Sequence, residues 1–376
     1  MDCTTDAFRR KRSASGSLSA AFHAMLGRMK KECCVSAPGR VCFAGEKLDW
    51  TGGSAIVCAV EDLRVYVHVR ESAEPDMTTI TSSAPFDASD RFDAHGLNAP
   101  GTGPLRYAHA VFLELAGRGL PLDNVAIEIR SSLPAAAGLS SSAAFCVAVA
   151  GALNKYHGFG FSPEAVCDVA FRAEARWLAT GCGQMDQYAS GLGGVNYIDC
   201  ATEPPAEIEQ MYLPDSLAIV VGDTQTRRSA GTVIGGMRDR LLHGDEGARE
   251  YIASTQREVR RLRELLRQPE PDLAAVGALL DRCHAYARDL ARVSTPELDH
   301  CVQAAREAGA IGAKVTGAGN GGCMFALVPR DQAEQVAQAI ESAGGVAYIT
   351  SIAQTGLRVE DPALLDGHMI AYTGSE

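Results

Sequence analysis

The period of the apolar positions changes several times along this chain, and each change marks an element. Val125-Ala-Ile-Glu-Ile-Arg130 alternates apolar and polar residues, the pattern of a half-buried strand. Residues 35–44 and 55–69 are rich in Val, Ile and Cys and read as strands on either side of a glycine-rich turn. Residues 78–93, rich in Ser, Thr and Asp, read as loops or edge strands. Leu105, Ala108, Val111 and Phe112 recur at helical spacing, and further helices are expected over 143–156 and 163–179. Short runs at 196–200 and 217–221 predict strands. From 231 to 308 the chain reads as largely helical, with a solvated Arg/Glu face at 256–267 supported by i,i+4 pairs. Residues 311–350 then read strand, glycine turn, strand, helix, strand.

Strands first, helices in the middle and a strand-rich end predict an α+β fold of two lobes. The boundary is expected near residue 205, just before or within Glu203-Pro-Pro205, which gives lobes over 33–205 and 206–376. Composition fits a globular protein: 46% hydrophobic and 22% charged over 376 residues. A net charge of −11 argues against a nucleic-acid surface, which needs basic clusters. No run reaches the ~18 apolar residues of a membrane span. Arg9-Arg-Lys-Arg12 is followed by a Ser/Ala/Gly stretch rather than an apolar one, so no signal peptide is read, and residues 1–32 are expected to form a flexible extension. The 12 cysteines show no regular framework and no zinc-spaced pair, which predicts a reduced, cytoplasmic setting.

The strand at 125–130 leads into Pro134-Ala-Ala-Ala-Gly-Leu-Ser-Ser-Ser-Ala-Ala144. Gly138 permits a tight turn, Ser140, Ser141 and Ser142 supply hydroxyls, and a helix follows. A small-residue loop entering a helix offers unpaired N–H groups and a favourable dipole end to phosphate. It lacks the lysine of a Walker A loop, and on its own it could be a linker or a capped helix. Two more glycine-rich segments accompany it, Ala37-Pro-Gly-Arg-Val-Cys-Phe-Ala-Gly-Glu-Lys-Leu-Asp-Trp-Thr-Gly-Gly53 and Lys314-Val-Thr-Gly-Ala-Gly-Asn-Gly-Gly-Cys-Met-Phe-Ala326. In order and spacing the three resemble the signature motifs of the GHMP kinases, a family that includes galactokinase, homoserine kinase and mevalonate kinase. The resemblance runs from about residue 37 to about residue 329. It implies a two-lobed fold in which ATP and a small-molecule acceptor meet in the cleft between lobes, and it leaves a homodimer open.

Phosphoryl transfer to an alcohol needs neutralised phosphates, a positioned hydroxyl and a group to take its proton. Asp186, in Gly181-Cys-Gly-Gln-Met-Asp-Gln-Tyr-Ala-Ser190, could be an ordinary helix cap. The resemblance assigns it as the catalytic aspartate, because Met-Asp-Gln matches the galactokinase segment. By the same resemblance Arg40 of Pro-Gly-Arg lies beside it, where a guanidinium would stabilise charge on the transferring phosphoryl. The loop residues Pro134, Gly138, Leu139, Ser140, Ser141, Ser142 and Ala143, with Gly317 and Gly319, are then expected to bind ATP. Ser142 and Glu174 are expected to hold Mg2+; Glu174 sits between Arg172 and Arg176, so a surface ion pair is its rival role. The segment 317–322 either covers the phosphates, braces the loop, or turns a hairpin.

Glu46, Asp49 and Trp50 resemble the sugar-binding stretch of galactokinase, and carboxylates there can accept from several hydroxyls at once. Gly183 and Tyr188 are placed with them on the substrate side. Lys47 stands where the family usually has histidine, and its ammonium could pair with an anionic group on the acceptor. Asp223-Thr-Gln-Thr-Arg-Arg-Ser-Ala-Gly-Thr-Val-Ile-Gly-Gly-Met-Arg-Asp-Arg240 and Ser294-Thr-Pro-Glu-Leu-Asp299 resemble mevalonate kinase instead. The expectation is therefore a kinase acting on a sugar or sugar-like polyol. The alternatives are a hydroxy acid such as mevalonate, or a sensor that binds sugar and ATP without turnover.

Overall fold

The computed structural model describes residues 31–363, except 84–85, 135–136, 206 and 228–229. Most of the expected N-terminal extension, Ala135 and Ala136 of the phosphate loop, and Arg228 and Ser229 lie outside the described residues. In chain order the first half runs β1 (Glu32–Ala44), β2 (Ser54–Glu71), β3 (Thr78–Ser82), β4 (Ala88–Phe92), α1 (Arg106–Gly117), β5 (Val125–Ser131), α2 (Ser141–His157), α3 (Pro163–Arg172), α4 (Met185–Leu192), β6 (Val195–Asp199) and β7 (Glu207–Met211). The second half runs β8 (Leu217–Asp223), α5 (Ala230–Leu242), α6 (Glu246–Leu266), α7 (Leu273–Tyr286), α8 (Pro296–Glu307), β9 (Gly312–Val315), β10 (Cys323–Pro329), α9 (Ala333–Ser342), β11 (Val346–Thr350) and β12 (Arg358–Glu360).

The first sheet has the order β12-β1-β2-β5-β3-β4, with β6 pairing both β2 and β7. β5 carries the expected alternation: Val125, Ile127 and Ile129 are buried while Ala126, Glu128 and Arg130 are half-buried. The helix α2 lies across β1 and β2. It is apolar on nearly every side, from Ala143 to Leu153, because it is enclosed by sheet and by other helices. β7 lies just beyond the boundary expected near 205 and joins this first sheet, and β12 returns to it from the far end of the chain. The 78–93 segment forms β3 and β4 at the sheet's end, and β3 pairs with β5 in parallel.

The second sheet is antiparallel, in the order β11-β8-β10-β9. Its strands β8, β9 and β10 are buried on both faces, which is why Leu217-Ala-Ile-Val-Val shows no alternation in sequence. Ala218 and Val220 face a core closed by α8 and α9, with Met324, Ala326, Leu298, Val336 and Ile340. Leu217, Ile219 and Val221 face the other way, into a core continuous with the first lobe. Phe43 of β1 stacks on Phe325 of β10 across that junction, ring centroids 5.2 Å apart. Helix α6 also crosses it: Gln256 Oε1 accepts from the Ser54 N–H, and the Arg263 guanidinium lies 3.7 Å over the Tyr197 ring. Among the described residues no helix is long and apolar enough to cross a membrane.

α7 meets β9 through two glycines, Gly277 and Gly312, at backbone contact. A methyl group on Gly277 would stand 1.8 Å from the Ile311 carbonyl oxygen. Gly236, in α5, faces open space instead. Gly236→Ala should therefore raise unfolding stability by about 1 kcal/mol through helix propensity. Gly277→Ala should lower it by about 2 kcal/mol, overpacking outweighing the same propensity gain. Urea unfolding of both variants checks this, and a Gly277→Ala protein as stable as the parent would refute the packing account.

Candidate active site

A cavity of about 740 Å³ opens between the lobes, and one buried arginine organises its floor. The β1–β2 register slips between Pro38 and Arg40, a bulge that turns β1 towards the phosphate loop. There the Arg40 N–H donates to the Leu139 carbonyl at 3.1 Å. Its side chain, 3% exposed as a residue, donates from Nε to Asp186 Oδ1 at 2.8 Å and from Nη2 to Oδ2 at 2.9 Å. Nη1 donates to the Gly138 carbonyl at 2.7 Å. Burial pulls the guanidinium's pKa down, yet the Asp186 carboxylate more than compensates and the net shift is upward. Asp186 lies in the first turn of α4, where the helix dipole favours a negative charge. Both its oxygens are engaged by Arg40.

The phosphate loop enters α2 through Ser140 in the left-handed conformation, φ 61°. Ser140, Ser141 and Ser142 line the cavity with Gly138. The Ser140 hydroxyl is buried and has no hydrogen-bond partner among the described residues, a donor left for something else. Pro134, Leu139 and Ala143 are buried behind this wall and do not line the cavity. The third glycine segment both turns the β9–β10 hairpin and braces the loop: the Cys323 N–H donates to the Ala137 carbonyl at 2.7 Å. Gly317 has φ 74°, and a methyl group there would stand 2.5 Å from the Gly138 carbonyl oxygen, so backbone packs on backbone. Gly317 reaches the cavity, whereas Gly319 packs against Val293.

Glu174 lies in a π-helical turn, Ala173–Trp177, that continues α3, a feature often found at functional sites. It is 3% exposed, and burial pushes its carboxyl up to about 7. Gln187 Nε2 donates to its Oε1 at 2.7 Å, and the Ser142 hydroxyl hydrogen-bonds to it as well. Arg172 pairs with Asp168 instead, at 2.7 Å. Among the described residues no cluster of three or more His, Cys, Asp or Glu side chains forms a cage for a metal. A single buried carboxylate beside a serine hydroxyl suits a magnesium ion that takes most of its oxygens from phosphate and water. A divalent cation there would also offset the burial of the ionised Glu174.

At the opposite end, Glu46 pairs with Lys314 of β9, a lysine 1% exposed whose Nζ also donates to the Cys42 and Val315 carbonyls at 3.0 and 2.8 Å. Lys47, with φ 69°, lies with Nζ 3.4 Å from the Gly317 carbonyl. Asp49 is pushed up to about 7, first by burial and then by Asp186. Gly183 leaves room for it: a methyl group there would overlap Asp49 Oδ2 at 2.1 Å. Trp50 carries the Arg238 guanidinium 4.8 Å over its ring, and Arg238 donates to the Gly181 carbonyl at 2.6 Å. Tyr188 is placed elsewhere. It is 1% exposed and packs with Cys42, Val57, Cys167 and Ile198, because two residues of helix turn it away from the side that carries Asp186.

The cavity thus gathers Arg40, Glu46, Lys47, Asp49, Gly183 and Asp186 with the serine loop, Glu174 and Gly317. Sequence reading missed Gln187 and Lys314, both inside quoted motifs but silent about their partners. It also missed Arg106 and an aromatic wall of Phe86, Tyr107 and Phe145, which no motif announces. Chemically the arrangement can hold a polyphosphate at a helix N-terminus and present a guanidinium-bound carboxylate to a hydroxyl.

Known proteins share this organisation. The family profile described as GHMP kinases N terminal domain matches residues 105–194, and that of GHMP kinases C terminal matches 262–346. A galactokinase galactose-binding signature matches 20–71. The mevalonate kinase of Thermococcus sibiricus is 33% identical over 340 residues, 87% of this chain and 98% of its own length. The galactokinase of Pyrococcus furiosus is 28% identical over 330 residues, 81% of this chain and 92% of its own. A Lactococcus lactis galactokinase complexed with galactose has the same fold, with a TM-score of 0.76 at 23% identity over 92% of this chain and 99% of its own. The chain therefore belongs to the GHMP kinases, enzymes that use ATP to phosphorylate a hydroxyl group.

Proposed function

We propose that this kinase transfers the γ-phosphoryl of MgATP to a hydroxyl of a sugar or sugar-like polyol. The observation that carries the reading is the bidentate Arg40–Asp186 pair, set in one cavity between the serine loop and the carboxylates Glu46 and Asp49. The galactose-binding signature over 20–71 supports the polyol, since it spans Glu46, Lys47 and Asp49. A second reading, a hydroxy acid such as mevalonate, is favoured by the 33% identity to a mevalonate kinase and by the ammonium of Lys47.

In the proposed reaction Ser140, Ser141 and the α2 N-terminus bind the phosphates, and Phe86, Tyr107 and Phe145 offer a face for the base. Each Asp186 oxygen keeps a lone pair beyond its Arg40 bond, enough to orient the acceptor hydroxyl or take its proton. Arg40 remains charged throughout and stabilises the negative charge of the transferring group. Ser142 and Glu174 would hold Mg2+, which supplies neutralisation of the phosphate oxygens.

Coupled ADP release over monosaccharides, uronic acids, cyclitols, mevalonate and homoserine tests this. Turnover on a sugar or cyclitol is expected; turnover on mevalonate alone would overturn the polyol reading, and silence with ATP bound would favour a sensor. Asp186→Ala should lower kcat on the order of 10³-fold, about 4 kcal/mol, with ATP affinity nearly intact. Near-normal turnover in that variant would remove Asp186 from the chemistry.

Asp49 generates a separate expectation. Folded, it holds its proton up to about 7; unfolded, it releases it in the ordinary carboxylate range. Its favourable contribution to stability is therefore full below that range and is lost as pH rises towards about 7. Asp49→Asn should match the wild type in Tm near pH 4 and gain on it steadily up to about pH 7, levelling off above. A constant difference across this window would contradict the burial account.

A further inference from the structure

Gln187 is 1% exposed and lies in the cavity wall, one residue after Asp186 on α4. Its side-chain nitrogen donates to Glu174 Oε1 at 2.7 Å. A carboxylate can only accept, so this bond fixes the amide's orientation and leaves the Gln187 Oε1 facing away from Glu174. That oxygen is buried and has no partner among the described residues. A buried, unpaired amide oxygen is costly in desolvation, so its placement calls for a reason. The only other contact recorded for the amide nitrogen is a 3.9 Å approach to Cys182 Sγ, too long to account for its placement.

Glu174 itself has little else to hold it. Its other recorded side-chain partner is the Ser142 hydroxyl, which is expected to turn to a metal. A carboxylate that binds magnesium needs one oxygen fixed so that the other is aimed, and a neutral amide does this without adding charge.

We infer that Gln187 is a positioning residue for the magnesium site, its Nε2 fixing one oxygen of Glu174 so that the other is aimed at the ion. The inference rests on the proposed role of Glu174. One short helix then carries both the carboxylate that faces the acceptor hydroxyl and the amide that sets the metal ligand. A shift of α4 would disturb both together.

Mn2+ binding to the ADP complex, read from the free-ion signal in electron paramagnetic resonance, tests this without turnover. Gln187→Met and Gln187→Asn should each weaken Mn2+ binding roughly tenfold, while ADP binding without metal stays unchanged. In turnover assays the half-saturating Mg2+ should rise by a similar factor, with the acceptor KM unchanged at saturating metal. Adding Gln187→Met to Glu174→Gln should cause no further loss of Mn2+ affinity, because the amide acts through the carboxylate. Wild-type Mn2+ affinity in the folded Gln187 variants, or losses that add fully in the double variant, would overturn the inference while leaving Glu174 as a ligand. Unchanged affinity in Glu174→Gln alone would remove Glu174 from the site, and the role of Gln187 with it.

Discussion

One guanidinium holds this site together. Arg40 binds both oxygens of Asp186 and the carbonyl of Gly138, so β1, α4 and the phosphate loop share a single planar fork. The three bonds are charge-assisted and geometrically fixed, which a lysine at the same place could not reproduce. Because the cation is almost wholly buried, its stability depends on the anion beside it; deleting either partner would strand a charge in a poorly solvated place. The separation of the Gly138 turn from the Asp186 carboxylate is thereby set by bonds rather than by packing alone.

The second constraint is the joint between lobes. Lys314 reaches from β9 to Glu46 and the Cys42 carbonyl, and the Cys42 N–H in turn donates to Thr316 Oγ1 at 2.9 Å. Around this pair the third glycine segment meets the phosphate loop with no side chain between them. Gly317 and Ala318 thereby line the cavity beside the serine loop from across the junction, and Gly231 and Ile234 close it from the same side, so neither lobe encloses the cavity alone.

Much of this was legible in the sequence where a local pattern has a local cause. The alternation in 125–130, the small-residue loop and the helix after it each follow from short-range rules, and each stands as expected. Glu174 and Asp186 were singled out through motif likeness, not through any signal in their own neighbourhoods, and the structure brings both to the cavity wall. What stayed hidden depends on pairing over long distances: Lys314 with Glu46, Gln187 with Glu174, Arg238 over Trp50. Tyr188 shows the limit from the other side, since membership of a functional motif says nothing about which face of α4 a residue occupies. The return of β12 to the first sheet was equally invisible, because a three-residue edge strand carries almost no periodic signal.

The backbone contacts of Gly317 with Gly138, and of Gly322 with Ala137, have a mechanical meaning. With no side chains in between, they have no rotamers to yield, so the two lobes cannot slide there and can only roll. Breathing of the cleft would therefore pivot on that seam together with the Phe43–Phe325 stack beside it. Points near Gly138 then travel little, while the far wall, where α5 contributes Gly231 and Ile234 to the cavity and Arg238 caps Trp50, sweeps the larger arc. The cleft is built like pliers whose rivet is the glycine seam and whose jaws open at the α5 wall.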